Sequence, residues 1–165
     1  MDLNYSVVEV SHDHAAASGY IVSSSAENVG NYFSSHTEDH TRIAKWLELN
    51  VATVCVLKNV NVDDDQRGNG YGNDALDEFM RFADSAEAII LISDRYESQE
   101  DGFVLDKWYE NWGFSKVTTC TSGTIMVCPE EIALKMRADL FFDVHATAEN
   151  EGESLKQKST LSCKP

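Results

Sequence analysis

Three glycines at alternate positions, Gly68, Gly70 and Gly72, interrupt the stretch VNVDDDQRGNGYGNDALDEFMRFA at residues 60–83. A β-branched run precedes them and an amphipathic run follows, so they lie in a strand-to-helix turn. Without a Cβ, the backbone there reaches positive φ and admits a ligand close to its amides. Where such amides also open a helix, several N–H groups converge and the dipole adds partial positive charge. That combination suits an anion, phosphate above all. Leu76, Phe79, Met80 and Ala83 then recur at i, i+3, i+4 and i+7, which predicts a helix over 73–83 with one face on a sheet.

Composition bounds what surrounds this turn. At 165 residues with 42% hydrophobic content, the chain holds one core, and a single domain over 1–146 is expected. The segment ENEGESLKQKSTLSCKP is poor in apolar residues and predicts a disordered tail over 147–165. No apolar run approaches the roughly 20 residues that cross a bilayer, and the opening MDLNYSVV lacks the regions of a secretory signal. A cytoplasmic protein is expected. Cys55, Cys120, Cys128 and Cys163 form no C-x-x-C pair, which favours reduced thiols. The formal net charge of −15 runs against direct nucleic-acid binding, which depends on clustered Lys and Arg. It favours solubility and cationic partners.

Residues 3–10 predict a first strand and 19–23 a second, with SHDHAAAS between them as a loop. His12 and His14 in that loop lack a third ligand at metal-site spacing. A helix opening at Ser25 carries Val29, Tyr32 and Phe33 at helical spacing, and another over 41–49 turns Ile43, Ala44 and Leu47 inward. His36 and His40 in SSHTEDH are four apart without forming H-E-x-x-H, and read as an exposed connector. The run VATVCVLKNVNVD at 51–63 is a buried central strand, and AIILIS at 88–93 is a second. Strand, helix and strand should form a parallel, right-handed unit. Next come a polar loop over 94–102, a helix over 103–112 with Gly113 at C′, and strands over 114–119 and 124–128. A helix from Pro129 through Phe142 completes an α/β (α+β) order of β, β, α, α, β, α, β, α, β, β, α.

Spacing separates three phosphate-binding glycine motifs. A Walker loop needs G-x-x-x-x-G-K-[ST], and no such lysine follows these glycines. A dinucleotide fingerprint starting at Gly68 would place its third glycine at Asn73, and matches poorly. The pattern R-x-x-G-x-G is met by Arg67, Gly70 and Gly72, with Val60 and Val62 just upstream. This segment resembles the acetyl-coenzyme A pyrophosphate loop of GNAT-type N-acetyltransferases. A second stretch, LDKWYENWGF at 105–114, is similar to the same family's later helix. The resemblance spans residues 52–128 and implies a GNAT-like mixed, mostly antiparallel central sheet with a parallel strand-helix-strand unit and flanking helices. Two departures stand out. The family places a strand, two helices and then antiparallel strands before the loop-bearing strand, whereas here the second helix runs almost directly into it. Gly102, seven residues before Tyr109, replaces an Asn common in the family.

The resemblance further implies acetyl-coenzyme A as cofactor and direct attack by an amine in a ternary complex. Main-chain groups of Gly68, Asn69, Gly70, Tyr71, Gly72 and Asn73 would hold the pyrophosphate, with Arg67 adding charge. The main chain of Val60 and Val62 would pair with the pantetheine arm and polarise the thioester carbonyl, and Tyr109 would hydrogen-bond the departing thiolate. A primary amine, with a pKa of about 10.4, must lose a proton before or during attack. The position where some members carry a Glu is Val56, so Asp63 and Asp94 are the candidate bases, with water relays as the alternative. Cys55 and Cys128 show no adjacent base that would make them acyl-accepting nucleophiles. Asp63, Asp64, Asp65, Glu97, Glu100 and Asp101 follow the ends of the two central strands, where a negative rim would draw in a cationic small-molecule or protein amine. A polyamine, an aminoglycoside or a lysine-bearing protein has that chemistry. No metal and no membrane enter this reading, and a homodimer is compatible with it. The alternative is a catalytically silent coenzyme A-binding domain that acts as a sensor or as an inhibitor of a partner protein.

Overall fold

Alternation along three neighbouring runs defines the core. In β3 (Thr53–Val62), Val54 and Val56 face one layer while Cys55 and Leu57 face the other. In β4 (Ala88–Asp94), Ala88 and Ile90 separate in the same way from Ile89 and Leu91. In β6 (Gly123–Cys128), Ile125 and Val127 separate from Met126. Strands apolar on both faces must lie between two helical layers. The computed structural model, which describes residues 5–23, 29, 38–94, 104–120 and 123–142, has that architecture.

The sheet runs β1-β2-β3-β4-β6-β5, with β1 (Tyr5–Ser11), β2 (Ala15–Ser23) and β5 (Ser115–Cys120) completing it. Among the described strands only β3 and β4 pair in parallel; every other neighbouring pair is antiparallel. One face carries α1 (Glu38–Asn50) and α4 (Glu130–Arg137), the latter continued by a π-helical turn at Ala138–Phe142. The other carries α2 (Tyr71–Phe82) and α3 (Leu105–Asn111). On the first face the Trp46 indole donates to Asp139 Oδ2 at 2.8 Å, and Lys135 Nζ to Asn50 Oδ1 at 3.1 Å, joining α1 to α4 and its π-helical continuation. No helix of the described residues is long and apolar enough to cross a membrane.

Several sequence expectations change. Ala15, Ala16 and Ala17, expected in a loop, begin β2; Ala15 and Ala17 are buried because their small side chains let α2 pack close to the sheet. Helix α1 starts at Glu38 rather than 41, and His40 is buried at 2% exposure rather than in an exposed connector. The reason is register: His40, Ile43, Ala44 and Leu47 share one face of α1. Helix α2 starts at Tyr71 rather than 73, because Gly70 adopts the left-handed conformation that caps it. The expected strand ends near 120 and 123 shift by a residue. The remainder of the helix expected from Ser25, apart from buried Val29, lies outside the described residues, as do His36, Glu97, Glu100, Asp101, Gly102 and the tail.

The hairpin missing before the loop-bearing strand is present earlier in the chain. Strands β1 and β2 precede α1, yet β2 lies antiparallel beside β3, so the sheet position is filled by a different connection. The register of that pair also slips. Gly19 pairs with Leu57 and Ser18 with Asn59, which leaves Lys58 as an extra residue in a β-bulge. The bulge reverses the alternation: Cys55 and Leu57 share a layer with Val60 and Val62.

Candidate functional site

Strands β3 and β4 run together only briefly. Their register pairs Val54 with Ala88, Cys55 with Ile89 and Val56 with Ile90, and ends there. Beyond it β3 follows β2 through Val62, while β4 follows β6 through Asp94. The parallel pair therefore opens into a V just past Val56. On the outer side of β3, the Asp63 N–H donates to the His14 carbonyl at 2.9 Å. Consecutive residues in an antiparallel ladder aim their main-chain groups to opposite sides. The N–H and C=O of Val60 and Val62 accordingly face the V, where an extended ligand would meet a row of strand-edge donors and acceptors.

The glycine turn closes one end of this opening. After a 3-10 turn at Asp64–Gln66, Gly68 and Gly70 take φ of 86° and 88°. A Cβ at either position would meet nothing within 4 Å, so positive φ and not crowding demands glycine, and the outer surface of the turn is open. The first i→i−4 bond of α2 runs from the Asp74 N–H to the Gly70 carbonyl at 3.1 Å. The N–H groups of Tyr71, Gly72 and Asn73 precede it and have no intrahelical acceptor. Asn69 Nδ2 donates to the Gln66 carbonyl at 3.2 Å, and Arg67 Nη2 stands 3.1 Å from Asp64 Oδ1 at the surface. Asp74 is exposed and Asp77 pairs with Arg81, so the acids of the first turns are turned to solvent or to a partner. An open, glycine-lined turn with several convergent N–H groups is a donor set that fits a pyrophosphate.

Helix α3 lies directly against this turn. A Cβ on Gly72 would stand 3.2 Å from Val62 Cγ2 and 3.6 Å from Trp108 Cζ2, and Trp108 Nε1 donates to Asn73 Oδ1 at 2.7 Å. The two sequence motifs, 35 residues apart, are thus in contact. Tyr109 is 7% exposed and lies between the Trp108 ring at 5.0 Å and the edge-on Phe114 ring at 5.8 Å. Gly113, at φ 96°, ends the helix, with the Phe114 N–H donating to the Tyr109 carbonyl at 3.2 Å. A V-shaped parallel pair, a glycine turn at a helix start and a tyrosine-bearing helix across from it now stand together.

The mixed, mostly antiparallel sheet with a parallel strand-helix-strand unit is the arrangement expected from the sequence. No protein-family model matches the chain, and no curated protein matches it. Among solved structures, it is similar to an acetyltransferase from Bacillus cereus at 12% identity, covering 76% of this chain and 72% of that one with a TM-score of 0.46. The paia N-acetyltransferase from Thermoplasma acidophilum, in complex with coenzyme A, aligns at 12% identity over 74% of this chain and 59% of its own, with a TM-score of 0.46. A polyamine N-acetyltransferase from Drosophila melanogaster aligns at 11% identity over 71% of this chain and 70% of its own, with a TM-score of 0.44.

The candidate bases stand on opposite arms of the V. Asp63, on the β3 arm, lies 3.3 Å from His14 Nδ1, and the His14 ring is 4.8 Å from that of Tyr71. Asp94 is exposed at the end of the β4 arm. His12 pairs with Glu78 at 3.2 Å, and no group of three or more metal-ligating side chains occurs among the described residues. Lys58, at the bulge, has its ammonium lowered from the usual lysine range by desolvation, although the side chain still reaches solvent.

Cys55 and Cys128 sit where the thiolate form is disfavoured. Burial pushes the Cys55 thiol up to about 12, and burial, followed by the nearby Glu131 charge, raises that of Cys128. Iodoacetamide at neutral pH should leave Cys55 unmodified in the folded chain and alkylate it in urea. Mass mapping that found Cys55 labelled in the native protein as fast as in urea would contradict a buried, protonated thiol.

Three features of this site escape a reading by motif. They are the Trp108–Asn73 hydrogen bond, the bulge opposite Gly19, and Asp106, whose carboxylate meets Ser93 and Thr124. The one signal for the last was a hydroxyl residue inside each of two otherwise apolar strands.

Proposed function

We propose that the chain transfers an acetyl group from acetyl-coenzyme A to a primary amine by direct attack in a ternary complex. The observation that carries this reading is the V between β3 and β4. The helix-opening N–H groups of the glycine turn and the strand-edge main chain of Val60 and Val62 border it, and the Trp108–Asn73 bond holds the Tyr109-bearing helix against that turn, which supports the reading. Acetyl-coenzyme A supplies a thioester whose acetyl carbon is open to an amine. The N–H groups of Tyr71, Gly72 and Asn73 hold its pyrophosphate, together with Gly68, Asn69 and Gly70, each charge-assisted bond contributing about 1.5–3 kcal/mol. Arg67 adds charge at the rim. Main-chain groups of Val60 and Val62 align the pantetheine arm, and the adjoining N–H groups polarise the carbonyl. Tyr109 donates a hydrogen bond toward the departing sulfur.

The acceptor is a cationic amine. Asp63, Asp64 and Asp65, all exposed at the end of β3, support this, since carboxylates beside a cleft raise the local concentration of cations. Asp63 or Asp94 removes the amine proton, directly or through water. A silent coenzyme A-binding domain is the second reading, favoured by the engagement of Asp63 with His14.

Calorimetry with coenzyme A and thiol release from acetyl-coenzyme A with spermidine and a lysine peptide separate these readings. Binding with turnover is the expected result. Tight binding without turnover across an amine panel would turn the assignment to a sensor, and absence of binding would sink both. Trp108→Phe, which removes the bond to Asn73, should weaken coenzyme A affinity roughly threefold to tenfold. An unchanged affinity would show that the clasp does not shape the turn.

A further inference from the structure

Helix α3 is seven residues long, two turns that would not persist alone in water. Tertiary ties must therefore set its position. Trp108 supplies one, on the glycine turn. The second is Asp106, in the first turn. Its Oδ1 accepts a hydrogen bond from Ser93 Oγ, its Oδ2 accepts one from Thr124 Oγ1 at 3.1 Å, and Lys116 Nζ lies 3.6 Å from Oδ2. Ser93 and Thr124 are register partners on β4 and β6, exposed only 1% and 9%. The carboxylate therefore straddles the seam between two strands of the sheet. Buried hydroxyls of this kind are costly without an acceptor, so the arrangement is specific to one placement of α3.

We infer that Asp106 is a positioning residue for Tyr109: by pinning the first turn of α3 across the β4–β6 seam, it sets where the phenol stands in the V. Residues three apart lie on one side of a helix, so rotation or withdrawal at Asp106 carries Tyr109 with it. The opposite end of α3 is held separately by Gly113 and Phe114, so releasing Asp106 tilts the helix and does not detach it. The catalytic meaning of that placement rests on the acetyltransferase reading, because misplacing a reacting group by about 1 Å costs on the order of a hundredfold in rate.

The test reads the tyrosine itself. In the full chain labelled with 13C-tyrosine, the Tyr109 ring signal is assigned by its disappearance in Tyr109→Phe, and spectra are recorded for wild type, Asp106→Ala and Asp106→Asn, with and without coenzyme A. Asp106→Ala should shift the Tyr109 signal and leave Tyr5 and Tyr20, at the far edge of the sheet, in place. Asp106→Asn, whose amide oxygen still accepts from a hydroxyl, should restore most of the native signal. A Tyr109 signal identical in wild type and folded Asp106→Ala would overturn the inference, as would equal shifts for the alanine and asparagine variants. If Asp106→Ala does not fold, Thr124→Val and Ser93→Ala, which remove only the donors, carry the same comparison. In a separately 15N-labelled wild type, failure of coenzyme A to move any glycine-turn amide would sink the cofactor reading, while the ligand-free tyrosine comparison would still decide the role of Asp106.

Discussion

Gly19→Ala should lower the thermal midpoint by roughly 6–12 °C, the equivalent of about 3 kcal/mol for a chain of this size. The reason is geometric. A Cβ at residue 19 would stand 2.2 Å from the Val56 carbonyl oxygen, 3.1 Å from Leu57 Cα and 3.0 Å from Phe79 Cζ. Two of those atoms belong to the backbone of the central strand, and the third to a fully buried ring, so none swings aside as the tip of a surface side chain would. Relief requires moving β2 away from β3 at the bulge. That movement disturbs Lys58, which the bulge leaves out of the register, and the Val60 and Val62 main chain beyond it. Coenzyme A affinity should therefore fall with stability. Ser18→Ala, one residue away and half-buried, is the control and should melt within about 2 °C of wild type. A Gly19→Ala chain as stable as wild type would mean that the sheet tolerates a straightened β3.

The glycine turn of the candidate site was legible because it is written in backbone requirements. Gly68 and Gly70 adopt the positive φ that their spacing suggested, and the turn they form begins a helix with open N–H groups. The buried strands were equally plain, since a short, β-branched apolar run such as 54–57 packs readily between two layers. The bulge was present in the sequence too, in a subtler form. Apolar side chains of one layer fall at 55 and 57, then at 60 and 62, and that change from odd to even needs an extra residue between them. What stayed hidden depends on tertiary partners. Ala15 and Ala17 look like loop or helix until α2 covers them, and His40 reads as polar until α1 is in register. Beyond the lone hydroxyls in two apolar strands, nothing local marked Asp106, because its partners Ser93, Lys116 and Thr124 come from three different strands. The two early strands were expected, but not that β2 would pair with β3, because a resemblance fixes sheet positions without fixing the order in which a chain fills them.

Tyr109→Phe should reduce kcat for acetyl transfer roughly 10- to 150-fold and leave KM for acetyl-coenzyme A near its original value. The magnitude follows from one hydrogen bond to a developing negative charge, about 1.5–3 kcal/mol, converted to rate. A thiol at about pKa 8.5 is a stronger acid than a phenol at about 10, so full proton transfer from Tyr109 runs uphill and hydrogen bonding is the cheaper role. The split between kcat and KM follows from the geometry. In the proposed binding mode the phosphate would be held by the glycine turn and the pantetheine arm by β3, so removing one hydroxyl would leave the cofactor's ground-state contacts in place. The fold should also survive, because phenylalanine keeps the ring contacts to Trp108 and Phe114, and stability should change by no more than about 1 kcal/mol. Steady-state kinetics of thiol release, paired with calorimetry on the same variant, reads both quantities. A rise in KM at constant kcat would make Tyr109 a binding residue for the donor. Unchanged kinetics would remove the phenol from the chemistry and reduce Tyr109 to a packing residue between α3 and the sheet.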